Sequence, residues 1–96
     1  MTGWRFLTNH AWAMLFIARH PDARIRDIAA ALDVTERTVH GIVADLVESG
    51  YVIREREGRR NRYHVQNDVP LREPVGRQRS IGDLLHLLGD VERGPR

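Results

Sequence analysis

Cysteine is absent from this 96-residue chain. Without thiols there is no disulfide framework, no thiolate nucleophile and no cysteine-ligated zinc or iron–sulfur site, which suits a reducing cytosol. Lysine is absent too, and all fifteen basic residues are arginine. A GC-rich genome would account for the missing lysine, but not for where the arginines sit. Long apolar runs are also missing. The longest strongly apolar stretch, residues 11–18, is far too short to span a bilayer, and residues 1–7 lack the basic-then-apolar pattern of a secretory leader. The expectation is a soluble, cytoplasmic protein with no membrane partner. There is no internal repeat, no glycine-rich phosphate loop, no serine beside a plausible base and no spaced carboxylate pair. No catalytic residues and no cofactor are therefore assigned, and the chain does not read as an enzyme. The histidines, His10, His20, His40, His64 and His86, form no i, i+4 pair and no cluster with carboxylates, so no metal site is assigned.

What is present suffices for one small core, since 42% of the residues are hydrophobic. A first helix is predicted over residues 8–19, capped by Thr8 or Asn9. Its apolar face is Trp12, Leu15, Phe16 and Ile17, and His20-Pro21-Asp22 ends it. Residues 23–26 read as a connector with room for one short strand. A second helix runs from Arg26 or Asp27 to Leu32. Ile25, Ile28, Ala29 and Leu32 sit at the spacing of one buried helical face. Asp33-Val34-Thr35 is a tight turn, and Thr35 caps a third helix whose buried repeat is Val39, Ile42, Val43, Leu46 and Val47. Gly50 suits a left-handed end to that helix. Residues 51–57 and 62–65 read as two strands of a hairpin joined by a four-residue turn, Gly58-Arg59-Arg60-Asn61.

Helix, helix, tight turn, helix and hairpin is the order of a winged helix-turn-helix, a mainly α fold with a small β-hairpin (α+β). In such a unit the helix after the tight turn enters the DNA major groove, and its first residues face the base edges. The net charge of +2 says little, but the distribution says more. Arg54, Arg56, Arg59, Arg60 and Arg62 fall within nine residues against only Glu55 and Glu57, a local excess of +3 and the densest in the chain. Three arginines at a hairpin tip exceed what solubility requires. Arg54, Arg56, Arg59, Arg60, Asn61 and Arg62 are accordingly expected on the DNA backbone, where such contacts position a protein and make its binding salt-dependent.

The stretch from residue 10 to residue 66 also resembles the winged helix-turn-helix of MarR- and ArsR-type bacterial transcriptional regulators. The marks are Asp27-Ile28-Ala29, the Thr38-Val39 pair, Leu46, Gly50-Tyr51-Val52 followed by Arg54, and the wing Gly58-Arg59-Arg60-Asn61-Arg62-Tyr63. Each is weak alone and the set is strong. The resemblance implies a homodimeric regulator of double-stranded DNA. Thr35, Arg37, Thr38 and His40 fall where these families touch DNA. Glu36 is placed to interact with the positive end of the helix dipole or with a cytosine. Gly41 departs from the pattern, because many relatives carry a long polar side chain there.

Beyond the hairpin, residues 67–79, with Pro70 and Pro74, read as an extended linker. Ser80 caps a last helix, and residues 80–96 are assigned to a C-terminal helix and tail. This divides the chain into a DNA-binding domain at 1–66, the linker and the helix. With four leucines on that helix, dimerisation is expected through Ile81, Leu84, Leu85 and Leu88, joined by Trp4 and Phe6. Two alternatives stand beside this reading. One is a winged-helix interaction module that binds no DNA. The other is a ligand-responsive regulator with Trp4, Trp12 and Phe16 lining a pocket, although nothing in the sequence indicates an effector.

Overall fold

In the computed structural model, residues 5–73 and 78–93 are described, the last five of them as backbone only. The elements are α1 (Asn9–Arg19), α2 (Ile25–Leu32), α3 (Glu36–Glu48), the strands β1 (Val52–Glu57) and β2 (Arg60–Val65), and α4 (Ile81–Arg93). This is a winged helix, α+β, as the element order predicts.

Short-range rules account for most of the boundaries. The Thr8 hydroxyl accepts from the Ala11 N–H at 3.2 Å, and the Thr35 hydroxyl accepts from the Thr38 N–H at 3.0 Å, each satisfying an otherwise unpaired donor of a first helical turn. Asp27 does the same from inside α2, where its carboxylate accepts from the Arg24 N–H at 2.9 Å. Ser80 and Asp83 bond reciprocally at 3.0 and 3.1 Å, a complete capping box on α4. The Ser80 backbone N–H, then its hydroxyl, hold the Asp83 carboxyl below the usual carboxylate range. The Ser80 N–H to carboxylate half of the box is therefore at full strength at neutral pH and weakens only as pH falls through that lowered value. Between α2 and α3, Asp33 takes the left-handed conformation at φ 59°, and the Val34 N–H bonds back to the Ala29 carbonyl. That makes the turn tight enough to cross two helices.

One core joins every element. Ala13, Met14, Leu15 and Ile17 of α1 meet Ile28, Ala29 and Leu32 of α2 and Val39, Ile42, Val43 and Leu46 of α3; Val52 and Tyr63 close it from the hairpin. The periodicities read from the sequence fall on these faces, with two adjustments. Trp12, expected on the buried face of α1, is 37% exposed, and residues 23 and 24 are irregular rather than a strand, so α2 starts at Ile25.

The hairpin is tighter than expected. Its antiparallel register runs from Val52↔Val65 to Glu57↔Arg60, leaving only Gly58 and Arg59 in the turn. Gly58 has φ 62° and Arg59 does not share the positive sign. A positive φ at the first loop position alone is the type II′ pattern, whose twist matches that of the strands. The four-residue turn is thus corrected: Arg60 and Asn61 are strand residues, because Arg60 pairs with Glu57 directly across the two-residue turn and Asn61 follows it in register opposite Arg56.

The described residues of the expected linker, 67–73 and 78–79, make specific bonds. The Leu71 N–H bonds to the Arg79 carbonyl, the Ile81 N–H to Val69 and the Gly82 N–H to Asn67, at 2.8–2.9 Å, around a bridge between Pro70 and Ser80. The Arg72 N–H donates to the Tyr51 hydroxyl at 2.9 Å. Pro74 lies outside the described residues. These bonds seat the start of α4 against α1 and the foot of the hairpin. Ile81 is fully buried and Leu85 is 7% exposed, both in the common core. They therefore cannot present themselves to a second molecule, contrary to the expectation that all four apolar positions of this helix face outward. The chain uses them to cover its own small core. Trp4 lies outside the described residues.

Candidate nucleic-acid interface

Helical spacing divides α3 cleanly. With Val39, Ile42, Val43 and Leu46 buried, the opposite side carries Arg37, Gly41, Ala44 and Glu48, flanked by His40 on one side and Thr38 and Asp45 on the other. All of these are exposed. The Thr35 hydroxyl is committed twice, accepting from the Thr38 N–H and donating to the Thr38 hydroxyl at 2.9 Å. Thr35 thus serves the helix end, and Thr38 keeps its hydroxyl proton for a partner. The side chains of Glu36, Arg37 and His40 make no hydrogen bond or ion pair with other described residues. Charge is uneven along the helix. Glu36, Arg37 and His40 lie in the first half, where the formal charges of Glu36 and Arg37 cancel, and Asp45 and Glu48 lie in the second, with Asp45 bonded at 2.8 Å to His10 of α1. A polyanion is therefore best met by the N-terminal half.

Gly41 sits in the middle of this face, and a Cβ built there meets nothing within 4 Å. No packing inside the chain requires the glycine. Gly41→Ala should therefore stabilise the fold by about 0.5–1 kcal/mol, the ordinary helix-interior difference, read as a higher midpoint in denaturant. If this face lies against a groove, the added methyl weakens duplex binding at the same time. Unchanged binding in anisotropy titrations would take the centre of α3 out of the contact surface.

Strand alternation sorts the hairpin's charges in a way that composition does not reveal. Val52, Arg54, Arg56, Asn61, Tyr63 and Val65 share one face, and Ile53, Glu55, Glu57, Arg60, Arg62 and His64 share the other. The second face is largely self-compensated. His64 meets Glu55 at 3.0 Å and Arg62 approaches Glu57 at 3.4 Å. The Arg62 guanidinium also forms a 2.9 Å ion pair with Asp22 in the α1–α2 turn, and Arg60 donates to the Asp22 backbone carbonyl at 2.6 Å. The Arg56 Nε–H donates to the Gly58 carbonyl at 3.0 Å, bracing the turn while its charge stays uncompensated. Arg54 and Arg59 have no hydrogen bond or ion pair with the described residues. Of the five clustered arginines, then, Arg54, Arg56 and Arg59 present open charge, whereas Arg60 and Arg62 reach back into the fold. Asp22 is the residue that sequence reasoning missed. Its partner Arg60 lies 38 positions away, and no local pattern in a single sequence carries that pairing.

A groove of about 360 Å³ runs between the start of α2 and the hairpin, lined by Arg24, Ile25, Arg59, Arg60, Asn61 and Tyr63. It sets one further basic side chain, Arg24, beside the wing. On the opposite side of the sequence order, Phe6, Leu7, Trp12, Leu84, Leu87 and Leu88 line an apolar groove of about 600 Å³, in which Phe6 is 90% and Leu87 is 61% exposed. Leu84 and Leu88 are half-buried there. Trp12 and Phe16 also line a separate depression of about 150 Å³, smaller than the roughly 300–1,000 Å³ of ordinary ligand pockets. Among the described residues no His, Asp and Glu side chains gather in a group able to hold a metal, and no helix is long and apolar enough to cross a membrane.

A model of the MarR family matches residues 6–62. The matched span takes in α1, the helix-turn-helix and the hairpin through Arg62, and stops before α4. Among curated proteins none matches the chain.

Proposed function

The chain belongs to the MarR family of DNA-binding transcriptional regulators, and from that membership we propose that it binds specific double-stranded sites as a homodimer. In this reading α3 enters the major groove. Arg37, Thr38 and His40 face base edges at its N-terminal half, with Glu36 and Gly41 alongside, and Thr35 holds the helix end. Arg54, Arg56 and Arg59 lie on the flanking backbone, where guanidinium groups suit phosphate oxygens. The observation that carries the reading is the coincidence, in a matched family span, of exposed Arg37, Thr38 and His40 in the first turns of α3 with three uncompensated wing arginines.

The dimer is supported by the apolar groove. An exposed Phe6 and Leu87 beside Leu84 and Leu88 form a surface that a soluble monomer rarely leaves open, and self-association about a two-fold axis covers it symmetrically. Two α3 helices so related read a roughly palindromic site, with half-sites about one helical turn apart.

Fluorescence anisotropy with a labelled random-sequence duplex tests the reading, followed by selection of bound duplexes from a random pool. Binding is expected to fall steeply as salt rises. The selected sites should be near-palindromes, and the protein should sediment as a dimer. No affinity for any duplex at low salt would leave the alternative, a winged-helix module that binds only proteins. The depression beside Trp12 and Phe16 lends an effector little support.

A further inference from the structure

We propose that Asp22 is a positioning residue for the wing, a role that rests on the reading of the hairpin as a DNA-backbone contact. The hairpin has only two strands, and a two-stranded ribbon holds its shape poorly without support. Its core anchors, Val52 and Tyr63, lie toward its foot, and the residues from Ile53 through Asn61 are all exposed. No strand from the α1–α2 connection flanks β2, since residues 23 and 24 are irregular. What joins the outer half of the hairpin to the helices is Asp22, used twice. Its main-chain carbonyl takes the Arg60 guanidinium at 2.6 Å, and its carboxylate takes that of Arg62 at 2.9 Å. Arg62 completes a bridge to Glu57 on the opposite strand, with its Nε buried and without a partner. One residue of the helical body thus holds β2 near the turn directly, and β1 only through the Arg62–Glu57 contact.

This assignment reverses the sign that charge alone predicts. Near a phosphate backbone an acidic side chain opposes binding, and neutralising it should tighten the complex and steepen its salt dependence. If Asp22 instead sets the direction in which Arg54, Arg56 and Arg59 point, neutralising it scatters those contacts. Binding then weakens and the salt dependence flattens. The Asp22 side chain is 74% exposed, so the pair adds little to global stability, and the effect on binding is separable from unfolding.

The experiment compares the full chain with its Asp22→Asn, Asp22→Glu and Arg62→Gln variants and with the Asp22→Asn/Arg62→Gln double variant. The probe is a labelled random-sequence duplex over a range of salt concentrations. The expected result is a loss of about threefold or more for Asp22→Asn, with no further loss in the double variant because the two residues act through one bond. Asp22→Glu, which keeps the charge, should recover part of the loss. Tighter binding with a steeper slope in Asp22→Asn would overturn the assignment and leave DNA binding itself intact. Backbone hydrogen exchange provides a readout that needs no DNA. Asp22→Asn should speed exchange in the paired strands while α3 is unchanged, and equal exchange in wild type and variant would overturn the clamp. A wild-type chain that binds no duplex would remove the DNA reading, and the exchange comparison would still decide whether Asp22 orients the hairpin.

Discussion

Replacing Arg54, Arg56 and Arg59 together with alanine weakens binding to every duplex, by about ten- to a hundredfold at moderate salt, and lowers the slope of log affinity against log salt by roughly 2–3 per protomer. The estimate follows from how open these charges are. Arg54 and Arg59 have no partner among the described residues, and Arg56 bonds only to a carbonyl. Each is therefore free to displace a counterion from the duplex. The loss should fall equally on selected and unselected sequences, because phosphate contacts carry no base information. All three side chains are exposed, so the unfolding midpoint should stay within the scatter expected of surface substitutions, about 0.5 kcal/mol. Anisotropy titrations at several salt concentrations, with a denaturation curve as control, make the measurement. An unchanged slope would exclude the wing from the phosphate backbone.

Gly82→Ala is expected to destabilise the chain, although a glycine-to-alanine change within a helix usually does the reverse by about 1 kcal/mol. A Cβ at this position would stand 2.8 Å from the Asn67 Cβ and 2.9 Å from its carbonyl oxygen. Much of that contact is main chain, so no rotamer change relieves it. The same carbonyl accepts the Gly82 N–H at 2.8 Å, which locks the two segments at this distance. Forcing them apart costs about 1–3 kcal/mol by analogy with overpacked cores. It also loosens Ile81, which is fully buried one residue earlier. A net loss of ~1 kcal/mol corresponds to a melting temperature lower by roughly 4–8 °C in a domain of this size. Gly41→Ala supplies the internal comparison, since nothing lies near its added methyl and its sign should be opposite. Equal shifts in the two variants would show that α4 is not held at Asn67 as described.

The proposed dimer surface lies on the same helix. Ile81 and Leu85 belong to the core, which leaves Leu84, Leu87 and Leu88 with Phe6 as the apolar surface for a partner copy. A shift of α4 in Gly82→Ala would disturb that surface as well as the core. Its effect on stability should therefore depend on protein concentration if the chain is a dimer.

Local rules set the elements and their order. Thr8, Thr35 and Ser80 cap the helices they precede. The repeats Ile28-Ala29-Leu32 and Val39-Ile42-Val43-Leu46 mark faces that are buried. These features were legible because capping and helical periodicity act over three or four residues, and their causes lie side by side in the chain. The same locality explains the resemblance from residue 10 to 66 and its agreement with the matched family span. Which partners the charges and leucines meet depends instead on long-range contacts. Five arginines within nine residues read as one basic tip, but strand register and an aspartate far back in the chain divide them into open and committed groups. The turn shortened because Arg60 found a partner across the ribbon, and α4 divided its apolar face between core and surface because Val69 and Asn67 fix where it starts. The physical reason is the same in each case. A side chain's free partners, and hence its function, depend on which distant segments folding brings beside it, and local spacing does not record them. In the proposed interface the wing remains the basic half, now with Arg54, Arg56 and Arg59 as its open charges and Asp22 as its anchor to the helices.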